Sequence, residues 1–478
     1  MLRKRRTNMP FIPFQTRPSL FYVYDMNKNS IFKIKSQQFE SLINISNGST
    51  DKKDLEIYEE FRTKGMLLDS PIEKVEHPAT ELLDQQLERC VNSITFQMTQ
   101  NCNLRCGYCP YSNFGIYDNR PHSSKHVSLE ILHKGIDFLI DHSKDVDHLH
   151  VSFYGGEPLL AKDLIIETIK YTNNRVNGKG ISYGMTTNGT LLKDDFIRQI
   201  KDFDISIMIS LDGPEKVHNI HRTYVNGKGS YETVYENINF IKKSYPELYK
   251  KIKFNTVISP GSNYEEIYQF FRNEELADFS KVSLNTLSTN YTEETFYYGS
   301  SFFEERNFEL LKTILLLLGK LKNEPITHHK NDIESLFSLK EFFTPIKETS
   351  KVAHPSGTCI PGLKKLFVDV DGNFFPCERI DENSDFMKLG SVDKGFNIDK
   401  VREILNVGTV TEDVCKNCWA FHCCSFCPAS TDNGKENKYV RNYKLKKCHK
   451  VKEQALEKLK NYTLLREYKF QFNKELIL

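Results

Sequence analysis

Three cysteines, Cys102, Cys106 and Cys109, fall within eight residues of the run Gln100-Asn101-Cys102-Asn103-Leu104-Arg105-Cys106-Gly107-Tyr108-Cys109-Pro110. Their spacing is C-x3-C-x2-C. Thiolates are the ligands of zinc and of iron–sulfur centres, and both normally close with four protein ligands. Three thiolates on one tight loop leave one metal position for a group that is not protein. The plain alternative, three reduced thiols clustered by chance, is rare outside metal sites. Eight more of the twelve cysteines gather late in the chain: Cys359, Cys377, Cys415, Cys418, Cys423, Cys424, Cys427 and Cys448. Cys90 stands alone ahead of the loop. The basic start, Arg3-Lys4-Arg5-Arg6, runs into Thr7-Asn8-Met9-Pro10 and not into an apolar stretch, so no signal peptide is expected. Without a secretion signal, this many cysteines point to metal ligation and away from disulfides.

The elements that must position the loop can be read from periodicity. Strand-like runs at Ser93–Thr99, His148–Tyr154, Ile181–Thr186, Asp204–Leu211, Lys253–Ser259 and Lys281–Leu287 alternate with helix-like runs at Ser128–His142, Lys162–Arg175, Asp194–Lys201, Tyr231–Lys243 and Tyr264–Asn273. A further helix is expected near Phe302–Lys322. Six β–α units in this order predict a parallel sheet, an open partial (β/α)6 TIM-like barrel, with chemistry at the C-terminal strand ends. The cysteine loop follows the first strand. Tyr154-Gly155-Gly156-Glu157-Pro158 follows the second, Thr187-Asn188-Gly189-Thr190 the third, and Ser210-Leu211-Asp212-Gly213-Pro214 the fourth, with His218 and Arg222 beyond. Asn255 and Asn285 lie toward the ends of the last two. Taken singly, Asn188 and Asp212 could equally be turn or cap residues.

The cysteine loop, with an aromatic just before its third cysteine, resembles the radical SAM enzyme signature. That resemblance implies a [4Fe–4S] cluster on Cys102, Cys106 and Cys109, with Tyr108 beside it and the fourth iron chelated by S-adenosylmethionine (SAM). It further implies SAM contacts at Gly155, Gly156 and Glu157, ribose and carboxylate contacts at Asn188, Ser210 and Arg222, and a 5′-deoxyadenosyl radical that abstracts hydrogen from an unactivated C–H bond. The late cysteines run Cys359-x12-Gly372-x4-Cys377, then Cys415-x2-Cys418-x5-Cys424-x2-Cys427, then Cys448. They resemble the SPASM extension of peptide-modifying radical SAM enzymes, which implies two auxiliary [4Fe–4S] clusters and three clusters in all. Cys359, Cys377 and Cys427 would serve the first, and Cys415, Cys418, Cys424 and Cys448 the second. Cys423 is an alternate for Cys424, because the family usually places three residues before the next cysteine. The fourth ligand of the first cluster is left open among Cys423, Cys90 and a substrate thiolate. C-x2-C pairs also bind zinc, so a zinc-ribbon-like module is the rival for this region.

Ahead of the barrel, Phe21–Asp25 and Ser30–Lys35 read as a hairpin, followed by helices over Gln37–Ile45 and Asp51–Gly65. The pattern resembles the leader-peptide recognition domain of maturases of ribosomally made peptides, in which an added peptide strand pairs with the hairpin edge. The expected organisation is a winged-helix-like unit over 1–75, a linker over 76–90, the barrel over 91–325, and a bridging region with the cysteine-rich iron–sulfur domain over 326–478. The net charge of +2 makes no case for nucleic acid. The longest aliphatic run, Ile314–Leu318, is too short to span a membrane, and a cytoplasmic location is expected. The function implied is a maturase that forms a thioether from a Cys sulfur to an α- or β-carbon of a precursor peptide, drawing electrons from a one-electron reductant such as flavodoxin or ferredoxin. Carbon–carbon crosslinking and formylglycine formation of the anaerobic sulfatase-maturase type are the alternatives. A non-catalytic iron–sulfur or zinc protein is the alternative of another class.

Overall fold

The computed structural model describes residues 8–472 apart from 112–116, 118, 274–280, 289, 293, 322–329 and 356–358. A three-stranded antiparallel sheet comes first: β1 (Phe11–Arg17), β2 (Leu20–Asp25) and β3 (Ser30–Ile34), in the order β1-β2-β3. Side chains alternate across a strand, and β2 uses both faces. Val23, with Phe11 and Ile34, packs on Leu42, Ile45, Tyr58 and Phe61 of the two following helices, Ser36–Ser46 and Lys52–Thr63. Tyr22 and Tyr24, with Phe14, pack into a different core against Phe343, Phe421, Leu459 and Tyr462. The hairpin read from the sequence therefore gains a strand on one side, and the unit is docked on the C-terminal region. Glu467, at the end of the long helix Arg441–Glu467, accepts from Thr16, Arg17 and Tyr22 at 2.5–2.8 Å. The end of this unit is held to the C-terminal region, and part of the stretch expected as a linker is helical. β4 (Lys74–Val75) pairs with a later strand at Val352–Ala353, and Leu83–Arg89 is helical.

The barrel is the six parallel strands β5 (Ser93–Thr99), β6 (His148–Gly155), β7 (Gly180–Thr187), β8 (Ile205–Ser210), β9 (Ile252–Ile258) and β10 (Val282–Thr286), each paired to the next in sequence order. Strand β6 shows the pattern that builds it. Leu149, Val151 and Phe153 are buried in the core, while His148, His150, Ser152 and Tyr154 alternate on the opposite face. Each buried aliphatic or aromatic side chain contributes about 1.5–3 kcal/mol, so a one-residue slip of register would be prohibitive. The expected partial barrel is observed. The last helix expected near Phe302–Lys322 runs over Ser300–Leu317, and Lys322 lies outside the described residues. No helix among the described residues is long and apolar enough to cross a membrane.

The sheet continues past β5 in a way the sequence does not announce. After β11 (Val352–Ala353), β12 (Leu366–Val368) adds parallel to β5, and β13 (Asn373–Phe375), β14 (Gly390–Ser391) and β15 (Gly395–Phe396) extend it antiparallel. Asp371-Gly372 turns β12 back into β13, with Gly372 at φ +82°. The first part of the cysteine-rich region is thus the outer end of the barrel's own sheet.

Two buried histidines bind the elements in one protonation state. His354 Nδ1 lies 2.8 Å from Pro355 O and so donates, while Nε2 accepts from Gly408 N at 3.1 Å. His218 Nδ1 accepts from Asp212 N at 3.3 Å, and Nε2 donates to Ser230 Oγ at 3.0 Å. Burial, with a neighbouring cationic or imidazole group, pushes both down to about 4 from 6.5. Because the folded value lies below the unfolded one, the stability held here is complete above pH 6.5 and is lost as the pH falls toward about 4. Each histidine should cost the fold up to ~2 kcal/mol by about pH 5. Chemical denaturation at about pH 7.5 and about pH 5 checks this: His354→Gln should lose less stability between the two than the parent. An equal loss contradicts the neutral, doubly bonded state of His354.

Candidate active site

β5 ends at Thr99 and the chain turns directly into the cysteine loop, whose backbone is gripped from two sides. Arg105 N donates to Thr223 O at 2.7 Å and Gly107 N to His221 O at 3.1 Å. Opposite, Gly156 N donates to Thr99 O at 2.8 Å and Glu157 N to Asn101 O at 2.9 Å. This contact explains the glycine pair. A Cβ on Gly155 would stand 2.4 Å from Thr99 O, and one on Gly156 would stand 2.1 Å from Asn101 O. Only glycine permits that approach.

The later motifs converge on the same loop. The Glu157 carboxylate is fully buried and accepts from Leu159 N at 3.0 Å, Thr187 Oγ1 at 2.7 Å and Asn188 N at 2.8 Å. Burial pushes it up to about 7 against these three donors. Its side chain is committed to tying the end of β6 to the end of β7. Asn188 Nδ2 donates to Asn103 Oδ1 at 2.8 Å and lies 3.8 Å from Cys102 Sγ; Asn103 Nδ2 donates to Thr190 Oγ1 at 2.8 Å. Ser210 closes β8 and is buried immediately before the Asp212 turn. Asn285 Nδ2 donates to Asn255 Oδ1 at 2.8 Å, so the last two strand ends also meet.

Arg222 is the most constrained of the expected residues. Its Nε and Nη2 donate to the two Asp212 oxygens at 2.8 and 3.1 Å, and the side chains are 8 % and 3 % exposed. The guanidinium carbon sits 5.5 Å over the Tyr108 ring, and the Tyr108 hydroxyl donates to the same carboxylate. Burial pushes the Asp212 carboxyl up, but the Arg222 cation outweighs it and holds the group below its ordinary value. The sequence left Asp212 open between a site role and a turn or cap; in the structure it anchors Arg222 and Tyr108. Asn103, flanking Cys102, was not singled out.

The thiols are set in apolar surroundings. Leu104, Cys106 and Tyr108 form a buried cluster with Tyr224, Val257 and Leu287 packed on it. Burial pushes the Cys102 thiol up to about 12 and Cys106 also upward. Metal binding must therefore displace protons from this loop. Three soft donors on a fixed loop, in a dry pocket, fit a cluster with one open iron.

The late cysteines fall into two sets. Cys415, Cys418, Cys424 and Cys448 line one cavity. Cys423 does not line it: its Sγ turns toward Ala420 O at 3.6 Å, in the core with Tyr24 and Phe421. Elsewhere Cys377 is influenced by Cys427 and Cys359, and Cys427 by Cys359. Cys90 caps the helix Leu83–Arg89. Among the described residues no three Cys, His, Asp or Glu side chains converge as the ligands of one metal ion would. Four soft thiol donors around one cavity are a donor set that an iron–sulfur cluster or a zinc ion takes.

Between the two ends of the barrel lies a cavity of about 320 Å³ lined by Thr95, His150, Ser152, Tyr154, Thr186 and Glu378, among others. Tyr154 and Thr186 bring it to within one residue of Gly155 and two of Asn188. Glu378 brings it to Cys377, which follows β13 toward the beginning of β5. The cavity's lining residues thus include the sequence neighbours of Gly155 at one end and of Cys377 at the other. His150 and Ser152 on its wall are hydrogen-bonded at 2.9 Å, and Ser182 links His150 to His148 at 2.8–2.9 Å. The only sequence signal for this wall was a period-two run of polar residues in a central strand.

The sequence profile of the Radical SAM superfamily matches residues 96–273. A radical SAM domain therefore spans residues 96–273 of this enzyme. This radical SAM chain is 24 % identical over 350 residues to the cysteine-type anaerobic sulfatase-maturating enzyme of Clostridium novyi, covering 69 % of the chain and 85 % of that protein. It is 22 % identical over 272 residues to the radical SAM cyclopropyl synthase TigE of Paramaledivibacter caminithermalis, covering 53 % and 54 %. The solved structure of native anSMEcpe with bound AdoMet shares the fold, with a TM-score of 0.58 at 20 % identity, covering 77 % of this chain and 98 % of that one.

Gly156→Ala tests the close approach. The added carbon meets backbone at Asn101, which cannot yield without moving Cys102. Anaerobically reconstituted Gly156→Ala should lack one cluster's share of iron relative to the parent while keeping the rest. Full iron content in the variant contradicts the packing role.

Proposed function

We propose that this enzyme is a maturase of a ribosomally made peptide and installs a thioether between a Cys sulfur and an α- or β-carbon. The observation that carries this reading is an incomplete thiol set around Cys377, whose neighbour Glu378 lines the barrel cavity. Cys359 and Cys427 lie close enough to Cys377 to influence it, while Cys423 is turned toward Ala420 and Cys90 caps a helix. A [4Fe–4S] cluster on these three thiolates would leave an iron for a substrate sulfur, and the cavity is also lined by Tyr154, next in sequence to Gly155. When bound, SAM and the loop's cluster supply hydrogen-atom abstraction from an unactivated C–H bond. The chain's own residues do the rest. Gly155, Gly156, Asn188, Ser210 and Arg222 shape the SAM pocket around Tyr108, with Arg222 oriented by Asp212. The cavity wall holds the peptide between the two clusters and excludes water. The second set, Cys415, Cys418, Cys424 and Cys448, would complete an auxiliary cluster with four protein ligands. Electrons enter from an external one-electron reductant of the flavodoxin or ferredoxin kind.

The N-terminal unit supports a peptide substrate. β1 borders the C-terminal helix, whereas β3 is the other edge of the sheet, with Ile31 and Phe32 half-buried and Lys33 exposed. An extended leader could pair there by strand addition. A second reading, formylglycine formation, is favoured by the likeness to sulfatase-maturating enzymes.

Two measurements test the proposal. Anaerobically reconstituted protein should cleave SAM to 5′-deoxyadenosine, and Cys102→Ala should lower that rate by at least about 10³-fold, since the chemistry resides in the cofactor. Mass spectrometry of the Cys-containing peptide encoded beside this chain should show the loss of two hydrogens and a thiol that no longer alkylates. An aldehyde in place of the thiol would instead establish the formylglycine reading.

A further inference from the structure

The helix Arg441–Glu467 carries Lys444 into the interior, where it is 3 % exposed. Its Nζ donates to Val407 O at 2.7 Å and lies 5.6 Å over the Phe426 ring. Among the described residues it has no carboxylate within ion-pair distance. The chain's other deeply buried cations are matched: Arg222 by Asp212, and Arg120 by Glu382 at 3.7 Å. A buried charge without a counter-ion is strongly disfavoured, and the groups around Lys444 that favour its charge are Cys415, Cys448 and Cys424 of the surrounding cavity.

That cavity is the one lined by Cys415, Cys418, Cys424 and Cys448. Lys452 lines it too, donating to Asn8 Oδ1 at 2.9 Å and reaching Cys418. Lys444, Cys448 and Lys452 are spaced i, i+4, i+8, which sets them on one helical face. The pattern K-x3-C-x3-K thus places a cation one turn to either side of a ligand cysteine. A [4Fe–4S] cluster with four thiolates is anionic, and its one-electron reduction adds a further negative charge without breaking a bond. The nearby cations stabilise the reduced form more than the oxidised one.

We propose that Lys444 and Lys452 are the counter-ions of the second auxiliary cluster and raise its reduction potential. This rests on the reading of the four cysteines as cluster ligands, and the experiment separates the two. Full-length protein carrying Cys102→Ala, Cys106→Ala and Cys109→Ala is reconstituted anaerobically, so that only the auxiliary clusters remain. Adding Cys415→Ala and Cys418→Ala must remove one cluster's share of iron and sulfide; if it does not, the ligand reading fails and the proposal with it. With the cluster present, a dithionite titration followed by EPR gives its midpoint. Lys444→Met should lower one of the two midpoints by at least a ten-fold change in the reduced-to-oxidised ratio, about 59 mV for one electron. The other midpoint should not move, and Lys444→Arg should stay near the parent. Lys452→Met should shift the same midpoint in the same direction, and it decides the matter if Lys444→Met does not bind the cluster. Unmoved midpoints in the iron-loaded lysine variants overturn the proposal.

Discussion

The buried pair of Arg222 and Asp212 is the interaction on which the site's geometry depends. Asp212 follows β8, accepts from Val257 N at 2.9 Å on β9, and takes both Arg222 and Tyr108. Tyr108, the Asp212–Arg222 turn and Val257, three stretches far apart in sequence, are thereby held at one carboxylate. Breaking such a pair leaves an uncompensated charge in a dry interior, at a cost of about 3–5 kcal/mol. The cysteine loop has no regular secondary structure of its own to keep its thiols in place. Its rigidity is borrowed from this pair on one side and from the Gly155-Gly156 contact on the other.

The second constraint is the continuation of the parallel sheet into the cysteine-rich region. Because β12 pairs with β5, the strand that leads into the first cysteine loop also fixes the hairpin that leads to Cys377. One strand therefore leads into the loop of Cys102, Cys106 and Cys109 and, through β12 and β13, holds the segment that carries Cys377. The N-terminal sheet is locked to the same body through Tyr22, Tyr24 and Glu467, so a peptide captured at β3 would be presented to a fixed structure.

The sequence by itself determined the chemistry-bearing residues and the class of fold. C-x3-C-x2-C and Gly-Gly-Glu-Pro are local patterns, and six alternations of strand and helix period imply a parallel barrel with those patterns at its strand ends. Local spacing is enough because ligand geometry, backbone approach and sheet pleat are all short-range constraints. Tertiary structure alone decided the pairings. Whether Cys423 or Cys424 shares a cavity with Cys415, Cys418 and Cys448 depends on which way one residue faces, and adjacent residues carry no signal of that. β12 with β5, and Lys444 and Cys448 with Cys415, Cys418 and Cys424, join segments whose separation in sequence leaves no periodicity to read, and the ten residues between Asp212 and Arg222 are no regular spacing either. Long-range electrostatics and burial selected those partners, and only the folded chain brings them within reach.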